Sequence, residues 1–420
     1  MAKFGQISYS DTGALDAFSR LRTSNPESLF SIQNQYNASP TEMEGGATGT
    51  GVAPTWSANT RMVALTANAG TGVSFYQSYQ YTPYEAGKGQ IVAMTGVMGS
   101  PVAGAIVDFG YFDANNGVVF RQNGTTNLQI ILRTSTSGVV SDANIVNQAD
   151  WNIDGLNSGL NSKNPSGKTL DVTKSVIMII DLQFLGMGRV RVGFDIDGVI
   201  YYVHQFLNAN VLAIPYIQSA TLPVGMLITA TSTLSAKTAY FKCATVQSEG
   251  GNSLSEFGLS LSTPEVTVTA ASGARTPILS IRPKTTYNGV VNRTLFILQN
   301  INMFVTGNQD VYWELCVGAT LTGTTWADIN TTYSAFEYTS VPGTFSNLTN
   351  GVVIASGYMS RLGGTNNGTP IITPAIDSLR YPIALDRSGA TRTFGTLTLL
   401  VTGISGNSAT RSNINFKEIR

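Results

Sequence analysis

Arg189-Val190-Arg191-Val192-Gly193-Phe194-Asp195-Ile196-Asp197-Gly198-Val199-Ile200-Tyr201-Tyr202-Val203-His204-Gln205-Phe206 is the stretch that decides the fold. Val190, Val192, Phe194 and Ile196 alternate with Arg189, Arg191, Gly193 and Asp195, the period of a strand with one buried face. Asp197-Gly198 suits a two-residue type I′ turn, because both central positions need positive φ. Counting out from that turn pairs Ile196 with Val199, Phe194 with Tyr201 and Val192 with Val203. On the opposite face it sets Tyr202 against Gly193 and His204 against Arg191.

The same grammar extends in both directions. Asn116-Gly117 and Asn123-Gly124 punctuate strand-like runs between Ile106 and Ser135, a meander. Val176-Ile177-Met178-Ile179-Ile180 is apolar throughout and too short for a buried helix, so it reads as a central strand. The uncharged stretch from Val211 to Ala230 contains Pro215, Gln218 and Pro223, which favours two strands and a turn over a membrane span. Ser248-Glu249-Gly250-Gly251-Asn252-Ser253 has the composition of a linker. Beyond it, strands are expected at Glu265–Ala270, Thr294–Leu298, Val311–Val317, Val352–Ala355 and Thr396–Val401, with loops such as Gly363–Gly368 between them. The expected architecture is all-β: an arm over residues 1–45, then antiparallel β-sandwich domains over 46–252 and 253–420, of jelly-roll or concanavalin-like type.

The composition agrees. Of 420 residues, 42% are hydrophobic but only 12% charged, and 43 are glycine. Average soluble domains carry about 25% charged residues. Lys plus Arg and Asp plus Glu each total 25, so the formal net charge is zero. Such a chain has no basic face with which to displace counterions from nucleic acid. Cys243 and Cys316 have no CxxC partner and read as two buried thiols, not a disulfide framework. Met1–Gln6 lacks the apolar core of a secretory signal.

Enzyme chemistry finds little to use. His204 is the single histidine, and the hairpin register puts it in mid-strand, away from a triad. Gly46-Ala47-Thr48-Gly49-Thr50-Gly51 lacks the Lys-Ser/Thr of a phosphate loop. Asp150, Asn152 and Asp154, with Gly155 next, hold positions 1, 3, 5 and 6 of a calcium-loop pattern, but position 12 is Asn161 where a bidentate glutamate belongs. Calcium is therefore the one cofactor the pattern admits, set against an ordinary side-chain-braced turn. Tyr76, Tyr79, Tyr81 and Tyr84 form a dense cluster that suits either sugar stacking or packing at an interface. At the N-terminus, Asp11–Arg22 has the Leu15, Phe18, Leu21 spacing of a short amphipathic helix that must dock on a partner to be stable.

Asp16-Ala17-Phe18-Ser19-Arg20-Leu21-Arg22-Thr23-Ser24-Asn25-Pro26, followed by Leu29-Phe30, resembles a widespread family of tailed-bacteriophage virion proteins. Further likeness lies in Gln148–Asn152, Gly186–Gly193, Leu222-Pro223, Ser248–Gly251, Leu279–Lys284 and Asn292-Arg293. The motifs are short, and their order carries the resemblance. It implies a non-enzymatic structural component of the virion, tail- or fibre-like. Phe18, Arg20, Leu21 and Arg22 would anchor it to a capsid or tail protein. Copies of itself, as a trimer, are the expected partners. A capsid-decoration or head-fibre role, or an adhesin reading host glycan, are the alternatives.

Overall fold

The computed structural model describes residues 25–125, 127–251, 256–268, 275–340, 344–345, 351–361, 371–373 and 383–420. The segment expected to form the N-terminal helix and anchor (Phe18, Arg20, Leu21 and Arg22) lies outside them, as does the Gly363–Gly368 loop. Among the described residues the fold is all-β and antiparallel, with two single-turn 3₁₀ segments and no helix able to cross a membrane.

The first thirteen strands are β1 (Glu27–Ile32), β2 (Met43–Trp56), β3 (Val63–Ser78), β4 (Gln90–Val97), β5 (Ala105–Phe112), β6 (Gly117–Asn123), β7 (Asn127–Thr134), β8 (Ser141–Asn147), β9 (Val176–Leu182), β10 (Val190–Ile196), β11 (Val199–Phe206), β12 (Val224–Thr233) and β13 (Lys237–Ser248). They form one sheet in the order β11-β10-β9-β4-β13-β3-β12-β5-β6-β7-β8, with β1 added on β13 and β2 on β3. β1 and the start of β2 fall in the stretch read as an arm, yet they are integral strands of this sheet.

The sheet curls on itself. β10 and β6 are seven places apart in the order, which in a flat sheet would separate them by about 34 Å at ~4.8 Å per strand. Instead, Phe120 of β6 and Phe194 of β10 touch edge to face at 4.9 Å, and Trp151 packs against both. One continuous core results, lined by alternate residues such as Leu65, Met94, Phe109, Ile130, Ile180 and Val246.

The meander and the β10–β11 turn form as the punctuation predicts. Asp197 and Gly198 have φ of 57° and 81°, the paired positive values a type I′ turn requires. The register holds for Ile196↔Val199, Phe194↔Tyr201 and Gly193↔Tyr202. It then slips at a β-bulge between Val192 and Gly193, so Val192 faces His204 and Arg191 faces Gln205. An extra residue in one strand is invisible to a count from the turn. In the uncharged stretch only β12 is a strand; residues 211–223 form a connection in which Pro215 and Pro223 break up the ladder.

From Glu256 onward the architecture differs. One sheet contains Glu256–Ser262, Ser408–Ile419, Leu295–Val305 and Ile371–Thr373, with Val266–Val268 on the Ser408–Ile419 strand. A second runs Ala327–Asp328, Phe336–Thr339, Thr276–Pro283, Leu397–Gly403, Val311–Val317 and Val352–Met359. Phe296 and Phe416 of the first sheet stack at 4.8 Å, and Phe336 of the second closes on Phe296 at 5.3 Å. The two sheets thus share one sandwich core.

Candidate functional site

The tyrosine cluster is the densest concentration of recognition-type side chains, and the structure divides it among separate tasks. Tyr76 points into the core, its hydroxyl 2.6 Å from Asn34 Oδ1 and 2.7 Å from Ala38 O. Burial drives its phenol pKa well upward, only partly offset by the Asn34 hydrogen bond. Tyr84 packs edge-on against Phe184, and its hydroxyl accepts the Leu185 N–H.

Tyr79 and Tyr81 leave the end of β3 on the outer side of the sheet, where the C-terminal sandwich meets it. The Arg392 guanidinium lies 3.5 Å from the Tyr79 ring centroid, and Arg293 lies 4.0 Å from that of Tyr81. Arg387 covers Phe75 at 4.7 Å. A planar cation over an aromatic face gains electrostatically from the ring quadrupole, and more when both are desolvated. Both phenols are raised by burial, with the neighbouring arginine pulling the other way; that of Tyr81 reaches about 12.

The arginines are held forward by a braced turn. Ala390 N–H and Ser388 Oγ both donate to Asp386 Oδ1, while Asp386 N–H donates to Ala390 O. Gly389, at φ +85°, takes the left-handed position that closes it. Arg293 donates to the Asp386 and Arg387 carbonyls at 2.7 and 3.0 Å. From the other side Glu44 of β2 accepts the Arg387 N–H at 2.6 Å, and Arg392 reaches Thr41 O at 3.4 Å. Burial raises the Glu44 carboxyl, against the pull of the Arg387 N–H. The crevice beside Tyr79, Tyr81 and Arg293 holds about 10 Å³, room for roughly one water. Rings from the first sandwich and arginines from the second thus meet in a joint, in which Tyr81 is buried and Phe75 and Tyr79 are half-buried.

The calcium pattern dissolves in the same way. Asp150 sits exposed at the end of a 3₁₀ turn. The Asn152 side chain pairs with the Gln205 backbone, donating to O and accepting from N, both at 2.9 Å. Asp154 is buried, and its two oxygens accept the N–H groups of Leu156 and Ser166. The Asn152 amide ties the loop to β11, and the Asp154 oxygens brace the loop internally. Among the described residues no group of three or more His, Cys, Asp or Glu side chains could hold a metal.

His204 is 6% exposed, and its Nδ1 accepts the Asn152 N–H. Burial lowers its pKa to about 4, so the ring is neutral at pH 7. The bulge accounts for this: it turns His204 inward, while Arg191 pairs with Asp181 and stacks on Tyr202 at 4.1 Å. Cys316 is buried, but Cys243 is half-exposed, contrary to a reading of two buried thiols, and neither is in a disulfide.

Two polar sites escape a reading by motif. Asp108, Arg121, Arg133 and Asp142 form a network across β5 to β8: Arg121 holds Asp108 through Nε and NH2 at 2.6 and 2.8 Å, and Arg133 bridges to Asp142 at 2.9 Å. Asp108 pairs directly with Arg121 in the β5–β6 register, so extending the meander pairing would reveal it. Lys237 is 1% exposed, donates to Ser100 O and Gln122 Oε1, and burial lowers its pKa to about 8. Nothing local marks it, since both partners lie more than 100 residues away.

No family model and no curated protein matches the chain. Solved structures do. Peanut lectin bound to a nine-residue peptide matches at 10% identity and a TM-score of 0.33, over 54% of this chain and 98% of the lectin. A carbohydrate esterase from the Shiga toxin-encoding bacteriophage phi24B matches at 10% and 0.29, over 54% of this chain and 100% of that one. The CBM2 module of the evolved Dit of Lactobacillus casei BL23 phage J-1 matches at 6% and 0.34, over 55% and 100%.

Proposed function

We propose that this chain is a non-enzymatic structural subunit of a tailed-bacteriophage virion, held to the particle by its N-terminal arm and presenting two β-sandwiches. The observation that carries the structural part is the joint. Tyr79, Tyr81 and Phe75, the aromatic faces a sugar-reading module would leave open, are covered by Arg392, Arg293 and Arg387. The other groups with chemical potential are engaged too: His204 accepts a backbone N–H, Asp154 two of them, and Lys237 is tied at a carbonyl and an amide. The phage assignment comes from the ordered sequence motifs beginning at Asp16.

The test is a virion carrying the gene without residues 1–24, a deletion that spares strand β1. The expected result is particles that lose this protein while the purified variant keeps its β-type circular dichroism. Particles at full occupancy would overturn the anchor. Antibody labelling of the intact protein places it on head or tail. Oligosaccharide released from host polysaccharide by the purified chain would overturn the non-enzymatic reading.

A further inference from the structure

Two hairpins turn on the same backbone geometry but differ at one amide. Asp197-Gly198 joins β10 to β11, and Asn288-Gly289 joins the two-residue strands Thr286–Tyr287 and Val290–Val291. Their φ values are 57° and 81° in the first turn, 50° and 82° in the second. In the first, Gly198 N–H donates to Asp195 Oδ1 at 2.9 Å. In the second, Gly289 N–H has no acceptor among the described residues, and Asn288 and Gly289 are both exposed. A Cβ built on Gly289 would meet nothing within 4 Å, so its nitrogen is approachable as well as free.

An asparagine followed by glycine carries its own electrophile and nucleophile. The glycine nitrogen can reach the asparagine Cγ, and with no Cβ on the glycine little crowds the approach. Three such pairs fall among the described residues: Asn116-Gly117, Asn123-Gly124 and Asn288-Gly289. The first is immobilised. Asn116 is 5% exposed, and its carboxamide accepts Gln218 N–H at 3.0 Å and donates to Gln218 Oε1 at 3.4 Å. In the second, Gly124 N–H donates to Ala105 O at 2.9 Å, so the nucleophile is engaged. Of the three, only Asn288-Gly289 leaves both groups in solvent.

We infer that Asn288 is a site of spontaneous self-modification, at which the chain cyclises and deamidates without an enzyme. The Gly289 nitrogen attacks Asn288 Cγ. The N–Cγ bond forms, the Cγ–Nδ2 bond breaks, and Nδ2 leaves as ammonia with the proton that Gly289 gives up. Water then opens the cyclic imide at one carbonyl or the other. One product is an aspartate in the normal chain. The other is an isoaspartate, whose backbone runs through Cβ and gains one atom. Either adds a negative charge.

The position gives the reaction a consequence. The hairpin is held by two residue pairs, Thr286↔Val291 and Tyr287↔Val290, and closed by Asn292 N–H on Thr285 O at 3.1 Å. Val291 lies against Gly389 of the braced turn, where an added Cβ would stand 2.9 Å from Val291 Cγ1. Two residues further on is Arg293, which covers Tyr81. Turn length fixes the register of a hairpin, so an extra backbone atom there disturbs the strands and loosens a support of the joint.

Ageing the purified full chain in mildly alkaline buffer, native and in urea, tests the assignment. Tryptic peptides carrying Asn288, Asn123 and Asn116 are followed by mass spectrometry for the one-dalton gain. Fragmentation separates Asn288 from Asn292, and labelling by an isoaspartate methyltransferase reports the rearranged product. In the native chain Asn288 should convert faster than the other two by at least about tenfold, because they must first open locally. In urea the three rates should converge. Asn288→Gly, which suits the positive φ and lacks the carboxamide, should lose both the gain and the label from this peptide. Native conversion at Asn288 no faster than at Asn123 or Asn116 overturns the inference. So does an advantage that persists undiminished in urea, or label that remains on the peptide of the Asn288→Gly variant.

Discussion

The two sandwiches use the same antiparallel pairing but close their cores by different means. The first closes by curling a single sheet until side chains of β6 meet those of β10, so the backbone ladder runs unbroken from β11 to β8 and side chains close the core. Its charged network, Asp108 with Arg121, Arg133 and Asp142, runs along strands already joined by the ladder. The second closes by apposing two separate sheets, and a side chain ties them. Glu418, fully buried, accepts Ser334 Oγ at 2.6 Å and Ala335 N–H at 3.1 Å across the gap. A continuous sheet can place its buried charges redundantly, whereas two separate sheets make one carboxylate a tie. The joint between them is one-sided as well: the first sandwich supplies the rings and the second supplies the cations.

The largest test of that contrast removes a core aromatic from each half. Phe120→Ala and Phe416→Ala should each cost about 3–5 kcal/mol. If the halves are separate cooperative units, calorimetry will show two transitions, and each variant will lower only its own. A single transition moved by both would merge the two regions into one unit.

The next concerns the tie. Glu418→Ala leaves the Ala335 N–H without its acceptor, strips Ser334 Oγ of its shorter bond and Arg420 of its carboxylate, and should destabilise the second sandwich by about 3 kcal/mol in urea unfolding. Arg121→Ala should cost the first sandwich about half as much, because Arg133 also contacts Asp108 at 3.5 Å. Equal losses would remove the distinction between redundant and single ties.

A pH titration sharpens the picture within the first sandwich. His204 has its folded pKa lowered to about 4 by burial, below the 6.5 of the unfolded chain. Between these values the unfolded state binds more protons, so stability falls as pH drops below about 6.5 and the loss is complete below about 4. By pH 5 the deficit is on the order of 2 kcal/mol. Glu44 and Glu249, raised by burial, act with the opposite sign. The His204 contribution is therefore read as the difference between wild type and His204→Gln, and parallel pH profiles for the two would refute it.

The smallest effect is at the joint. A Tyr79→Ala, Arg392→Ala double-mutant cycle should show a coupling of about 1 kcal/mol, the size of a partly desolvated cation–π pair. Glycan-array binding by the wild type that is lost in Tyr79→Ala would instead return this surface to a recognition role.

Most of the fold was legible because its signals are short-range. Asp197-Gly198 selects its turn, alternation selects the face, and the Val311–Val317 strand appears with the expected bounds. Legibility ended where one residue was inserted: the bulge beside Val192 leaves composition and period intact but rotates His204 inward. The candidate sites were less legible. Asp150, Asn152 and Asp154 have the spacing of ligands, yet Asn152 binds a strand 53 residues away and Asp154 turns back to Ser166. Tyr79 meets its arginine 313 positions later, and no local pattern announces that pairing.

By itself, then, the sequence determined an all-β chain with little charge, a single histidine and a hairpin pinned by Asp197-Gly198, because propensity, period and turn chemistry act over a few residues. Only the tertiary structure decided what the notable side chains do. Strand order and curl choose which distant groups meet, and in a low-dielectric contact the partner that arrives determines whether an aromatic face, a carboxylate or an imidazole is open for binding or already engaged.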